Sequence, residues 1–233
     1  ATTDGGITWT ATFTPTASIS DATNVITLDT TGVSDTPGNA GVGTTDSNNY
    51  AIDTVRPTAT IVVADTSLII GETSLVTITF SEAVTGFSNA DLTIASGTLS
   101  AISSADGGIT WTATLTPTAS ITDATNVITL GNTGVSDAVG NAGIGTTDSN
   151  NYAVDTQRPT VLISVSDTSL IAGETSLVTI AFSEAVTGFD NADLTIANGT
   201  LSAVSTADGG VTWTATLTPT AELIDATNVI SLN

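Results

Sequence analysis

Nearly every side chain here that can do chemistry is a carboxylate. The 233 residues carry 23 Asp and Glu against two basic side chains, for a net charge of −21. The two cations are Arg56 and Arg158, and Cys, Met and His are absent. That inventory excludes a thiolate nucleophile, an imidazole base, a disulfide and the usual transition-metal ligand sets. What remains is hard oxygen from carboxylates, amides, hydroxyls and backbone carbonyls. Ca²⁺ takes about six to eight such ligands, whereas Mg²⁺ keeps its water and tolerates irregular cages poorly. Catalysis resting on carboxylates alone is the least supported class of function, so no enzyme is expected. The charge also repels nucleic acid and anionic lipid.

Such ligands need elements to hold them, and the chain builds its elements by repetition. Asp4–Thr12 returns at Asp106–Thr114 and again at Asp208–Thr216, while Asp53–Thr58 returns at Asp155–Thr160. The period is 102 residues with no break in register. A period of that length implies an array of similar domains, and an array mainly spans distance. The boundaries fall at the Asp-Thr-X-Arg-Pro-Thr segments, where Pro57 and Pro159 stiffen the connector. Residues 53–154 form one complete repeat, 1–52 the back half of another and 155–233 the front three-quarters of a third. Cuts inside repeats are those of a window on a longer array, and Ala1 is not expected to be a natural terminus. Apolar residues make up 40% of the chain, enough for packed cores. No apolar run reaches the roughly 18 residues of a membrane span. The cysteine-free, acidic composition, rich in Thr, Ser, Asn and Gly, fits a secreted bacterial surface protein.

Alternation with period two dominates the complete repeat and predicts about seven strands. They are Thr58–Val63, Ser74–Phe80, Leu92–Ala95, Leu99–Ser103, Ile109–Leu115, Asn126–Leu130 and Ser149–Val154. In the fifth, Ile109, Trp111, Ala113 and Leu115 share one face, which places Trp9, Trp111 and Trp213 in core strands. Seven short strands, one central Trp and no Cys pair predict an all-β fold of tandem immunoglobulin-like antiparallel sandwiches joined end to end.

Three motifs carry a resemblance over the whole chain: Asp53-Thr54-Val55-Arg56-Pro57-Thr58, Phe80-Ser81-Glu82-Ala83-Val84-Thr85-Gly86-Phe87 and Val135-Ser136-Asp137-Ala138-Val139-Gly140-Asn141. In this order they resemble the tandem bacterial Ig-like domains that form the extender regions of very large repeats-in-toxin and biofilm adhesins. The resemblance implies calcium-rigidified modules stacked end to end outside a Gram-negative cell. It implies no adhesive tip.

Threaded on such a sandwich, the acidic residues sort to the two ends of each repeat. One end gathers Asp53, Glu82, Asp91, Asp106, Asp137 and Asn141. The other gathers Asp65, Glu72, Asp123 and the exiting Asp155. Asp137, four residues before Asn141 in a glycine-containing loop, is a good ligand candidate. Asp53 and Asp155 are the strongest, because position and resemblance agree. Glu184 and Asp193 repeat Glu82 and Asp91. Asp65 and Asp123 read equally well as Asx-type turn caps, and Asp106 before Gly-Gly reads first as a turn residue. Arg56 and Arg158 are expected to pair with carboxylates at the junction.

The leading expectation is therefore a spacer: calcium-bound repeats holding neighbouring repeats of the same chain in line at a bacterial surface. A filament or surface layer with lateral contacts between copies is a second reading. A module binding ice through threonine rows, or glycans through a loop, is a third. Nucleic-acid partners and membrane insertion are not expected.

Overall fold

A computed structural model describes all 233 residues, and its regular structure is β-strand apart from four single 3₁₀ turns. The chain divides into two compact units, 1–156 and 157–233.

Within the first unit, residues 1–52 supply β1 (Ser20–Asn24), β2 (Thr27–Asp29), β3 (Thr44–Asp46) and β4 (Tyr50–Asp53). These make two two-stranded ladders, β1–β4 and β2–β3. The complete repeat opens with β5 (Ala59–Val63), β6 (Ser67–Ile69), β7 (Ser74–Phe80) and β8 (Leu92–Ile94). It continues with β9 (Gly97–Leu99), β10 (Ser103–Ser104), β11 (Thr110–Pro117) and β12 (Thr122–Asn126). It closes with β13 (Ile128–Gly131), β14 (Thr146–Asp148) and β15 (Tyr152–Asp155). One five-stranded sheet of β5, β7, β9, β10 and β11 faces two three-stranded ones, β12-β15-β6 and β14-β13-β8. Val76 and Ile78 of β7 and Leu115 of β11 meet Leu68, Ile128, Leu130 and Tyr152 in a single core, all at most 1% exposed. The fold is thus the expected all-β sandwich. Truncating a side chain such as Ile78 to Ala costs about 2–5 kcal/mol, from lost transfer energy plus the cavity left behind.

The strands are more numerous and shorter than the alternation predicted. Ser74–Phe80 falls where expected, because seven alternating residues leave one register. The stretch expected at Leu99–Ser103 is two pieces, β9 and β10, each pairing with β11. Asn126–Leu130 is likewise split, with β12 pairing to β15 and β13 to β8 and β14. The first of those ladders carries a register shift between Asp123 and Asn126. β6 was not expected, and it pairs parallel to β15, the one parallel ladder of the structure.

Trp111 is half-buried at the rim of the core, edge-on to Phe87, and donates its indole N–H to the Gly108 carbonyl. Trp9 is 70% exposed rather than core-packed, and Ile109 is exposed ahead of β11. Residues 1–52 contain no counterpart of β7, the strand against which Trp111 registers at Ile78.

The second unit comprises β16 (Val161–Val165), β17 (Ser176–Phe182), β18 (Leu194–Ile196), β19 (Gly199–Leu201), β20 (Ser205–Thr206), β21 (Thr212–Pro219) and β22 (Ile230–Leu232). It repeats the five-stranded sheet, with β17 between β16 and β21. Its core cluster holds four buried side chains, Val178, Ile180, Phe189 and Leu194. Trp213 again stands edge-on to the neighbouring phenylalanine, Phe189.

Candidate metal site

Three segments of the first unit bring carboxylates to one point. Asp53 ends β4, Glu82 follows β7, and Asp137 lies in the loop between β13 and β14. One oxygen from each lies within 4.8 Å of the other two.

Asp137 is placed by its own loop. Its Oδ1 accepts the backbone N–H groups of Val139, Gly140 and Asn141 at 3.0, 2.7 and 2.8 Å. Its Oδ2 accepts from the Asn141 amide at 2.7 Å. The turn needs Gly140 at φ +99°, a region that side chains disfavour. The same clasp stands at Asp35 and Asn39, with Gly38 at φ +100°. The Ser-Asp-x-x-Gly-Asn sequence therefore folds this way by local bonding in both places. Asp137 is 3% exposed. Burial works against its charge, yet the Asn141, Gly140 and Val139 donors outweigh it and hold the carboxyl below its ordinary value.

The Asn141 amide nitrogen also donates to the backbone carbonyl of Asp53 at 3.1 Å. Asn141 thus ties the connector to the Asp137 loop. Glu82 has no such compensation. Burial, then the charges of Asp137 and Asp53, push its carboxyl above the ordinary value. Arg56 does not neutralise the group, because its guanidinium donates to the Ala142 carbonyl. The expected ion pair of Arg56 with a carboxylate is therefore replaced by a bond to backbone, which pins the connector to the loop carrying Asp137.

The other expected ligands lie outside this cluster. Asp91 closes a capping box on a 3₁₀ turn, accepting the Ser88 backbone N–H at 2.8 Å, and Asp193 does the same for Asp190 at 2.9 Å. The Asp91 carboxylate also packs on Gly134, where a Cβ would stand 2.0 Å from its Oδ1. Asp65 accepts from Ser67 N–H, Asp123 from Thr125 N–H and Asp106 from Ile109 and Thr110, all as local turns. Glu72 accepts from Ile69 N–H. Asp155, at the end of β15, accepts from the Thr122 hydroxyl at 2.9 Å. Glu184 belongs to the second unit, where its Oε1 is buried without a hydrogen-bond partner.

Oxygens on opposite sides of a calcium ion at about 2.4 Å stand about 4.8 Å apart, so the three carboxylates could share one ion. The donor set fits chemically: three hard anionic groups, one of them disfavoured in its charged form by burial and by the other two. A bound divalent cation would supply charge neutralisation and a cross-link between connector, β7 loop and Asp137 loop.

Tandem β-sandwiches with an acidic cluster at the connector define the class of this chain. It belongs to the bacterial Ig-like domain family, which it matches over residues 1–52, 53–154 and 155–233. No curated protein matches it. Among solved structures it is similar to FdeC, described as a broadly conserved Escherichia coli adhesin, at 13% identity and a TM-score of 0.39. The match covers 70% of this chain and 55% of that one. No helix is long and apolar enough to cross a membrane.

Proposed function

We propose that the chain is a run of spacer repeats from a large bacterial surface adhesin, stiffened by calcium where one repeat meets the next. The observation that carries the reading is the convergence of Asp53, Glu82 and Asp137 on the connector, with ligand oxygens within 4.8 Å. Asp53 belongs to the segment entering the repeat, and the other two to the repeat it enters. One ion there would fix the direction in which the chain crosses the boundary. Without it, three carboxylates repel and the connector loosens. Extracellular calcium modules bind with dissociation constants on the order of 10⁻⁴–10⁻³ M, so such a chain would stay loose in a low-calcium cytosol and stiffen outside. The absence of His, Cys and Lys and the family membership favour a mechanical role over catalysis.

The test is small-angle scattering and thermal melting of the chain in calcium and in chelator, with the Glu82→Gln variant alongside. Calcium should raise both the maximum dimension and the melting temperature. In the variant the calcium response should shrink. A wild-type chain indifferent to calcium in both measurements rejects the reading.

A further inference from the structure

Every repeat has a second polar cluster, at the end of the sandwich opposite the carboxylate site, built on an Asp and an Asn three residues apart. In each copy the Asn amide nitrogen donates to the Asp backbone carbonyl at 3.0 Å: Asn24 to Asp21, Asn126 to Asp123 and Asn228 to Asp225. In each copy the Asp Oδ1 accepts the N–H two residues on, from Thr23, Thr125 or Thr227, at 2.9, 3.1 and 2.9 Å. Those bonds fix both side chains the same way. They leave the Asn Oδ1 and the Asp Oδ2 as acceptors with nothing yet donating to them.

In the second unit one side chain serves both acceptors. The Nδ2 of Asn198 donates to Asp225 Oδ2 at 2.9 Å and to Asn228 Oδ1 at 2.7 Å. In the complete repeat the residue at that position is Ser96. Its backbone is the same, with φ +50° against +54° for Asn198. Its carbonyl accepts from Thr118 as that of Asn198 accepts from Thr220, both at 2.9 Å. The serine has two fewer heavy atoms and reaches one bond less far. Its hydroxyl makes only a long bond to Asp123 Oδ2, at 3.3 Å. Asn126 is 2% exposed, and its Oδ1 is buried with no hydrogen-bond partner.

A buried amide carbonyl left unpaired costs about 1–3 kcal/mol, and buried polar atoms of this kind are usually met by an ordered water. We infer that the complete repeat binds one internal water molecule where the second unit places the Asn198 amide nitrogen. The occupant must satisfy two acceptors, as the neutral –NH₂ of Asn198 does by donating to both, and water is the small neutral molecule that can do the same. The Ser96 hydroxyl is a third neighbour for it. Asn126 Nδ2 also donates to the Tyr152 carbonyl at 3.1 Å, and the Tyr152 hydroxyl donates to the Ala95 carbonyl. The water therefore closes a polar clamp joining the β8–β9 turn, the bulge of β12 and the exit strand β15. This reading takes Asp123 out of the calcium ligand set. It stands whether or not the junction binds calcium.

The experiment is a high-resolution crystal structure of the chain, grown with millimolar calcium, for wild type, Ser96→Asn and Ser96→Gly. Wild type should show one solvent peak about 2.8 Å from both Asn126 Oδ1 and Asp123 Oδ2. Ser96→Asn should replace the peak with its own amide nitrogen. Ser96→Gly relieves the positive φ without supplying a donor, and should keep the peak. In solution, oxygen-17 relaxation dispersion should count one long-lived water fewer in Ser96→Asn than in wild type. An empty site in wild type overturns the inference. So does an ion with calcium's anomalous signal at about 2.4 Å, or an equal water count in the two proteins. Should Ser96→Asn fail to fold, the wild-type and Ser96→Gly structures decide the matter by the same peak.

Discussion

Glu82 and Asp106 are both carboxylates near one end of the repeat, yet their surroundings drive them in opposite directions. Asp106 accepts from the Thr110 backbone and side chain, then from Ser104 and Ile109, and these bonds hold it down at about 2. Asp208 is held at about 2 by the matching donors led by Thr212. A depressed acid contributes stability that is present above its unfolded value of 3.8 and is lost as pH falls toward 2. Glu82 is raised above 4.5, so its contribution has the other sign. The folded state binds its proton more readily than the unfolded chain, and stability rises as pH falls from neutral toward 4.5. Melting followed against pH in chelator should therefore rise slightly on mild acidification and fall below about pH 4. With saturating calcium the mild-acid rise should reverse, because a proton on Glu82 competes with the ion. The Glu82→Gln variant separates these effects. In chelator it should melt higher than wild type, since one of three repelling charges is gone. A lower melting temperature in chelator would mean that Glu82 supports the fold without metal.

Strands and turns explain which residues reach the site. Tyr152 on β15 spans the core to the Ala95 carbonyl, and burial followed by the nearby charge of Asp123 pushes its hydroxyl up to about 12. Tyr152→Phe keeps the ring and strands that carbonyl. It should cost about 1–3 kcal/mol in urea denaturation of the first unit, and an unchanged midpoint would show that solvent reaches Ala95. Such a contact was not legible in the sequence, because it joins residues 57 apart. The repeat and the long alternating strand Ser74–Phe80 were legible, since each is written in local order. β6 was not: it has three residues, only Leu68 points inward, and its partner β15 lies more than 80 residues further on. Asp137 with Asn141 could be picked out because the clasp is local. Position and resemblance singled out Asp53, and Asp65 read equally well as a turn cap, but nothing in the sequence set Glu82 apart from Asp91 and Asp193. Carboxylates that accept a turn N–H occur inside the cluster, at Asp53 and Asp137, and outside it, at Asp65, so only three-dimensional neighbours tell the two kinds apart. The Ser96 and Asn198 exchange was not singled out in the sequence, because its meaning depends on Asn126 Oδ1 being buried.

At the scale of the whole chain, the two units are unequal in what holds them. The core of the first includes fifteen buried apolar side chains, and that of the second four. Burial of apolar surface is the main favourable term in folding, at roughly 25 cal/mol per Å², so the second unit should be the weaker. The three-carboxylate cluster lies entirely in the first unit. A ligand that binds only the folded form raises stability by mass action, and only for the unit that holds it. Calorimetry in chelator should accordingly resolve two transitions, the lower from residues 157–233. Calcium should move the upper transition upward and shift the lower one less. Trp213 reports on the second unit, so following its fluorescence in a Trp9→Phe, Trp111→Phe background assigns the lower step. A single transition would show that the two units unfold together, and calcium acting more strongly on the step reported by Trp213 would show that the ion is held mainly by other carboxylates than Asp53, Glu82 and Asp137.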